Sequence, residues 1–155
     1  MNYNLPPSTY WIGDIKHVMT NTIFNNWKNN NYDEGIYYDN NKKYLVIPAV
    51  CGDNYYEGSD GFIYQVISGH LGLIDVRLCT NISITQMIKG RIQNFLNPIN
   101  VQFKYGVIKI TSNNFKLTID TNEEDEDEDE EYDDDPDYIP NEESESESDY
   151  ELDSI

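Results

Sequence analysis

The chain has 155 residues, a formal net charge of −19 at pH 7 and two cysteines. This length fits one domain, no apolar run approaches the ~20 residues needed to span a bilayer, and two cysteines are too few for the disulfide framework of a small secreted protein. The first residues also lack the basic and apolar regions of a secretory signal. We therefore expect a soluble, intracellular protein with no membrane partner.

The negative charge is confined to one end of the sequence. Residues 1–122 hold ten Lys and Arg against nine Asp and Glu, a net charge of +1, whereas residues 123–155 hold twenty acidic residues and no basic one, a net charge of −20. Such a segment buries too little apolar surface to offset backbone ordering, which costs about 1–2 kcal/mol per residue. The sequence predicts a globular domain at 1–122 and a disordered acidic tail at 123–155.

The first predicted elements are an aromatic strand and a helix. The strand runs from Tyr10 into Gly13, and Asp14 is placed to cap the helix that follows. Apolar residues then recur at spacings of three and four, which is the period of an amphipathic helix, and the Asn-rich stretch 25–31 ends it. These apolar residues are Ile15, Val18, Met19, Ile23 and Trp27.

Strand signals dominate the middle of the chain. The predicted strands are 35–38, 43–50, 54–56, 62–66 and 73–76. Residues 44–47 are nearly continuous apolar and predict a central strand, while Pro48 indicates a sheet edge or a bulge. The Gly- and Asp-rich loop 57–61 predicts a hairpin, and 68–72 predicts a further turn.

The apolar positions between 82 and 96 fit one face of a helix, with Ser83 as cap and Asn97-Pro98 as stop. Gly90 inside this helix costs about 1 kcal/mol relative to Ala. The apolar positions are Ile84, Met87, Ile88, Ile92, Phe95 and Leu96, and the short strands predicted after them are 101–105, 107–110 and 115–119. Strands outnumber helices and no βαβ alternation occurs. We therefore predict an α+β fold, a small, mainly antiparallel β domain with one or two helices, followed by the acidic tail.

Two segments carry a resemblance to a known family. The first segment is Tyr10-Trp11-Ile12-Gly13-Asp14. The second runs from Val50 to Gly72, and the residues in it that match the family pattern are Gly52-Asp53, Gly61, Tyr64 and Ser68-Gly69. They resemble small β-rich proteins of bacteria, phages and large DNA viruses that have an aromatic strand, a Gly-Asp-Pro turn and a pattern close to "YGDG-x-Y-x-D-x-x-G-x-x-Y-x-VDSG-x-IG". This chain departs from the pattern at Ile15, where the family has Pro, and at Ile67, where it has Asp. The resemblance implies a fold and no defined activity.

Polar residues at the predicted turns are the candidates for catalysis. Asp14, Asp53 and Asp60 lie beside glycines, where carboxylates of hydrolases and metal sites are often displayed. Such residues more often bond their own backbone or cap a helix, and no metal-ligand spacing accompanies them. His70 is expected to be a turn histidine without a catalytic partner, and Cys51 a small buried thiol without a nearby base. We therefore assign no catalytic residue, metal or cofactor.

The acidic tail is the feature with a clear physical mechanism. Dense carboxylates attract Lys- and Arg-rich surfaces over about one Debye length, ~8 Å at physiological salt. Ser144, Ser146 and Ser148 each precede an acidic residue by three positions, a pattern typical of acidophilic-kinase sites. The residues expected to interact are Glu123, Glu124, Asp125, Glu126, Asp127, Glu128, Asp129, Glu130, Glu131, Asp133, Asp134 and Asp135.

Three functional hypotheses follow from the sequence. The favoured one is a non-enzymatic interaction module whose acidic tail engages basic partner proteins. The alternatives are a hydrolase or nucleotide-processing enzyme that uses turn carboxylates and His70, and a viral structural or virion-associated component. Direct nucleic-acid binding is disfavoured, because the domain's basic residues are dispersed and the tail would compete with phosphate for them.

Overall fold

The computed structural model describes residues 1–30, 33–79 and 87–122. Within these ranges the strands are β1 (Asn2–Leu5), β2 (Ser8–Asp14), β3 (Gly35–Asp39), β4 (Lys42–Pro48), β5 (Asn54–Glu57), β6 (Ile63–Val66), β7 (His70–Asp75), β8 (Arg91–Phe95), β9 (Ile99–Lys104), β10 (Val107–Ser112) and β11 (Phe115–Asp120). The helices are α1 (Ile15–Val18) and α2 (Asn21–Asn30), and a 3-10 turn covers Val76–Leu78. The described part of the chain is thus a small, mostly antiparallel β domain with few helices, as predicted.

The strands form three antiparallel sheets. A five-stranded sheet has the order β3-β4-β7-β2-β8, a four-stranded sheet has the order β1-β9-β10-β11, and β5 pairs with β6 in a hairpin. The hairpin predicted around the loop 57–61 is the β5–β6 pair, and other strands that follow one another closely also pair: β3 with β4, β9 with β10, and β10 with β11. β4 lies between β3 and β7, which confirms the central strand predicted at 44–47.

The main core lies where the three sheets contribute their apolar faces to one cluster. Strand alternation sends side chains of β4 to opposite faces: Leu45 and Ile47 join this core, whereas Tyr44 and Val46 join a second one. The four-stranded sheet contributes Val101, Ile108, Ile110, Leu117 and Ile119 to the main core, and the hairpin contributes Tyr56, Tyr64 and Val66.

The second core lies between the helices and the other face of the five-stranded sheet. Trp11 from β2 packs there with Ile15 of α1 and Trp27 of α2, all at most 1% exposed. Gly72 makes this contact possible, because a Cβ on it would lie 2.6 Å from a methyl carbon of Ile15 and 2.6 Å from the carbonyl oxygen of Leu45. A missing side chain in β7 thus lets α1 approach the sheet.

The structure corrects the N-terminal prediction of one continuous helix. The predicted stripe is divided between α1, which ends at Val18, and α2, which begins at Asn21. Met19 is extended, with φ −72° and ψ 140°, and its N–H closes the last turn of α1 on the carbonyl of Ile15. The apolar spacing holds across the break because both helices pack on the same core.

The helix predicted over 82–96 is wrong in its last part. Arg91–Phe95 form β8, whose Ile92 lies opposite Trp11 of β2, and residues 80–86 lie outside the described part. Ile88 is 66% exposed, Ile92 44% and Leu96 82%, so three members of the apolar stripe do not belong to the core. Pairing with β2 supplies hydrogen bonds along the whole strand, and this tertiary gain outweighs helical periodicity.

Two smaller differences concern strand boundaries. β1 was not predicted, and it pairs with β9 at the edge of the four-stranded sheet. β7 begins at His70, so the turn predicted over 68–72 is shorter than expected and the strand starts three residues before 73. His70 therefore lies at the first position of a strand, paired with Pro48 of β4.

Candidate functional site

Residues of the turn before β7 converge on the buried carboxylate of Asp14. Asp14 is fully buried at the end of β2, where its Oδ1 accepts the N–H of Lys16 at 2.7 Å and thereby caps α1. The same oxygen accepts the hydroxyl of Ser68 at 2.7 Å, while Oδ2 accepts the N–H groups of Ile67 at 2.5 Å and Ser68 at 2.7 Å. A carboxylate offers about four lone-pair sites, so the arrangement is saturated and ties β2 to the turn before β7.

The two histidines flank this turn, and each bonds a backbone carbonyl, His17 that of Gln65 at the end of β6 and His70 that of Ser68 in the turn. The Nε2 atom of buried His17 lies 3.1 Å from the carbonyl oxygen of Gln65, and the Nδ1 atom of His70 lies 2.7 Å from that of Ser68. Trp27 meets the His70 ring edge-on at a centroid distance of 4.9 Å. Because the Ser68 hydroxyl donates to Asp14, the geometry is that of a braced turn rather than of a serine activated by a histidine base.

Asp53 comes close to the same turn from the neighbouring loop. Its Oδ1 lies 3.6 Å from the position that a Cβ would occupy on Gly69, and Asp53 itself is exposed. Cys51, two positions earlier, is half-buried and packs against the main core, and its N–H donates to the carbonyl of Thr121 at 3.1 Å. The structure therefore places Asp14, Asp53 and His70 near one turn, with only Asp53 exposed.

Asp60 lies in a separate cluster at the tip of the β5–β6 hairpin. Arg91 pairs with it at 2.6 Å, the Tyr64 hydroxyl donates to it at 3.0 Å, and its own Oδ1 accepts the Phe62 N–H at 3.2 Å. Burial opposes ionisation of Asp60, but these hydrogen bonds, with that from Arg91 first, outweigh it and hold the pKa of the carboxyl below 3.8. Burial and the adjacent Asp60 raise the pKa of Tyr64. Asp60 thus fixes the hairpin to β8.

Asp75 forms a third group that the sequence did not single out. It is buried at the end of β7 and accepts hydrogen bonds from Arg77 Nε at 2.8 Å and from the Ser8 hydroxyl at 3.2 Å. The hydrogen bond from Arg77 is the main cause that lowers the pKa of Asp75, against its burial. Burial, with a smaller contribution from Asp75, raises the pKa of the Cys79 thiol to about 12. A thiol with so high a pKa is a poor nucleophile.

The described residues contain no group of three or more His, Cys, Asp or Glu arranged to hold a metal ion. Across the same residues, no helix has the length and apolar character required to cross a bilayer. The acidic residues predicted to interact, 123–131 and 133–135, and the serines at 144, 146 and 148 lie outside the described part of the chain. The prediction for them therefore rests on the sequence.

Comparison of the chain with protein-family models, with curated protein sequences and with solved structures gives no match. The resemblance to the phage and viral β-rich family therefore stays a prediction. What the structure adds is that the two segments carrying it meet, since Asp14 from the first bonds Ser68 from the second.

Proposed function

We propose that the chain is a protein-interaction module whose acidic segment, 123–135, engages basic surfaces of partner proteins. One observation carries the proposal: residues 123–155 have a net charge of −20, while residues 1–122 have a net charge of +1. Because nearly all of the net charge lies in 123–155, an electrostatic interaction with a partner would come from that segment, and residues 1–122 supply the folded domain to which it is attached.

The physical basis is the repulsion among neighbouring carboxylates. Residues 123–131 are nine consecutive acidic residues, and three more follow at 133–135. Carboxylates at this density repel one another and favour contact with water or with cations, so they are available to Lys and Arg side chains of a partner. Each exposed ion pair with a partner contributes about 0.2–1 kcal/mol to the free energy of binding. Many such pairs together give a measurable affinity, which falls as salt screens the charges.

The state of the folded carboxylates supports an interaction role. Asp14 has all four of its lone-pair sites occupied by donors, Asp60 is bonded by Arg91, and Asp75 is bonded by Arg77. Each would lose these bonds if it were to serve as a base or a metal ligand. The hydrolase alternative therefore depends on exposed Asp53, and the virion-component alternative stays a prediction.

A lysine-rich peptide titrated against the full chain tests the proposal. In a neutralised variant, every Glu and Asp of 123–135 is replaced by Gln or Asn, which keeps the length. We expect the peptide to bind the native chain at low salt and to bind at least about tenfold more weakly in the neutralised variant or at about 1 M salt. Equal affinity for both chains would contradict the proposal.

Phosphorylation gives a second test of the same mechanism. Each phosphate on Ser144, Ser146 or Ser148 would add about −1.5 to −2 charges to a segment that is already anionic. Treatment with an acidophilic kinase should therefore tighten peptide binding, and a variant with alanine at the three positions should show no such change. This variant is also the matched control for the neutralised segment, because it leaves every carboxylate in place.

A further inference from the structure

A surface groove lies where the end of β8 meets the turn between β10 and β11. It is lined by residues 93–97 on one side and 112–115 on the other. Its walls therefore come from two sheets, since β8 belongs to the five-stranded sheet and β10 and β11 to the four-stranded one. The volume is about 320 Å³, at the lower end of the range for small-molecule sites, about 300–1,000 Å³. The groove thus has room for one small ligand.

Among the described residues, none with an ionisable side chain lines this groove. Its lining is five amide side chains, two phenylalanines, one leucine and one serine, although 25% of the whole chain is charged. Arg91 lies beside the groove, with its guanidinium 5.3 Å from the ring centroid of Phe115, but it is already paired with Asp60 at 2.6 Å. A charged ligand would lose water here without meeting a free opposite charge. The lining therefore suits a neutral ligand.

Three of the amides that line the groove are free to bond a ligand. Asn97, Asn113 and Asn114 are exposed, and within the described part of the chain no hydrogen bond involves their side chains. Each amide offers two N–H donors beside an acceptor oxygen. Such a group can donate to one hydroxyl and accept from the next one, so the three amides suit a ligand that carries several neighbouring hydroxyls.

The two walls of the groove are fixed to each other by a buried hydroxyl. Ser112 is 8% exposed, and its Oγ atom lies 3.1 Å from the carbonyl oxygen of Asn97 and 2.9 Å from that of Pro98. Phe95 and Phe115, from opposite walls, meet edge-on at a centroid distance of 5.0 Å. Because these contacts already hold the walls together, little ordering is needed when a ligand binds.

Asn113 occupies a turn position that glycine would adopt at the lowest cost. Its φ is 42°, in the left-handed region, where asparagine is tolerated and most side chains are not. Asparagine at this position supplies the groove with an amide that glycine would lack. The turn therefore combines the backbone that the hairpin requires with a hydrogen-bonding side chain.

Free amides beside apolar surface match the chemistry of a sugar. A sugar ring has hydroxyls around its edge, and it has C–H groups on its faces that can pack on exposed Leu96 and half-buried Phe115. An extended peptide, by contrast, is recognised through backbone hydrogen bonds along a strand edge, whereas the free groups here are side-chain amides.

We propose that the groove between 93–97 and 112–115 binds a neutral saccharide, with Asn97, Asn113 and Asn114 as its hydrogen-bonding residues. The inference goes beyond the proposed function and does not rest on it, because all the residues that take part lie within 1–122.

Titration of the full chain with sugars, followed by amide NMR, tests the proposal. The neutral probes are glucose, galactose, mannose, N-acetylglucosamine and lactose, each added up to about 100 mM, because a small ligand in an open groove binds weakly. Glucuronate, glycerol and an uncharged tripeptide of glycine and serine are the comparison probes. We expect at least one neutral sugar to give saturable shifts of the three side-chain amides and of the backbone N–H groups of 112–115, and glucuronate to bind more weakly.

Two variants locate the binding. The groove variant is Asn97→Ala, Asn113→Gly and Asn114→Ala together, in which glycine keeps the positive φ of the turn. The matched control makes the same kinds of change at exposed asparagines elsewhere, Asn21→Ala, Asn25→Ala and Asn40→Gly, where Asn40 has a φ of 47°. Circular dichroism verifies that each variant is folded, and Asn97→Ala alone repeats the comparison with a smaller expected change.

The backbone signals of 112–115 report binding in every form of the chain. We expect the dissociation constant for the sugar to rise about tenfold or more in the groove variant and to stay unchanged in the control. Absence of saturable shifts with every neutral sugar, or equal affinity in the groove variant and the control, would overturn the proposal. Glucuronate, glycerol or the tripeptide binding as tightly as the best neutral sugar would also overturn it, because the groove would then show no preference for a neutral saccharide.

Discussion

Asp14 accepts two hydrogen bonds from Ser68, one from its N–H and one from its hydroxyl, each 2.7 Å long, although 54 positions separate the two residues. This pair joins the end of β2 to the turn that precedes β7. Because Asp14 also caps α1, one side chain positions a helix, a strand end and a turn.

Replacing Asp14 with Ala should therefore lower the free energy of unfolding by about 3 kcal/mol or more, because the buried donors on Ile67 and Ser68 lose their acceptor. Asp14→Asn should cost less, since one oxygen is retained. Urea unfolding measures both. Asp53→Asn is the matched control: its carboxylate is exposed, and we expect a change within about 0.5 kcal/mol. An Asp14→Ala variant as stable as the control would contradict the anchoring role.

Gly90 should not tolerate a side chain. A Cβ there would lie 2.2 Å from the indole Cζ2 of Trp11 and 2.6 Å from the backbone carbonyl of Ile12. Gly90→Ala is expected to destabilise the domain by about 1–3 kcal/mol, because the indole must move within a packed core, and to alter the near-ultraviolet circular dichroism. Gly52→Ala is the comparison, since it has open space and a φ of +68°, so only a backbone cost of about 1 kcal/mol applies. Unchanged stability and dichroism in Gly90→Ala would refute the contact.

Stability should fall in acid because of Asp60 and Asp75. The folded-state pKa of each lies below the ordinary value of 3.8. A carboxyl with a depressed pKa contributes stability that is fully present above its unfolded pKa and is lost as the pH falls through its folded pKa. The free energy of unfolding should therefore be constant above about pH 5 and decline below about pH 4.

Asp60→Asn isolates one of these contributions. Loss of the charged partner of Arg91 should cost about 1–3 kcal/mol at neutral pH and should make the decline in acid shallower. Combining it with Arg91→Gln in a double-mutant cycle measures the coupling of the pair directly. An acid decline as steep in Asp60→Asn as in the native chain would show that Asp60 is not responsible.

Cys79 should react slowly with alkylating reagents. Burial raises the pKa of its thiol to about 12 from an ordinary 9.0, so little thiolate exists near neutral pH. In a Cys51→Ser variant, which leaves Cys79 as the single thiol, we expect alkylation at about pH 8 to be at least about a hundredfold slower in the folded chain than in denaturant. Comparable rates in the two states would contradict the burial of this thiol.

The sequence predicts most of the β structure because its signals are local. The apolar run 44–47 and the Gly- and Asp-rich loop 57–61 define a strand and a hairpin by apolar continuity and turn chemistry, and the structure places β4, β5 and β6 accordingly. β8 could not be predicted in this way. Its apolar residues keep a helical spacing, and the strand forms because β2 offers an edge to pair with, which is a tertiary property.

The candidate site is predictable only in part for the same reason. The capping role of Asp14 follows from its place before an apolar stripe, and the structure confirms it. Its bonds to Ile67 and Ser68, and the pairing of Asp60 with Arg91, join residues 31 or more positions apart and have no local signal. Asp75 was not singled out although its main partner, Arg77, lies only two positions away; its bond to Ser8 of β2 has no local signal.

The central claim is that carboxylates of 123–135 hold basic proteins, and a quantitative affinity capture tests it most directly. The native chain, the neutralised variant and the Ser144, Ser146 and Ser148 alanine control are immobilised in equal amounts, and the bound proteins are measured at low and at about 1 M salt. We predict that the native chain and the control enrich the same proteins rich in Lys and Arg, and that neutralisation or salt reduces their recovery at least about tenfold. Equal recovery by the native and neutralised chains at low salt would contradict the account.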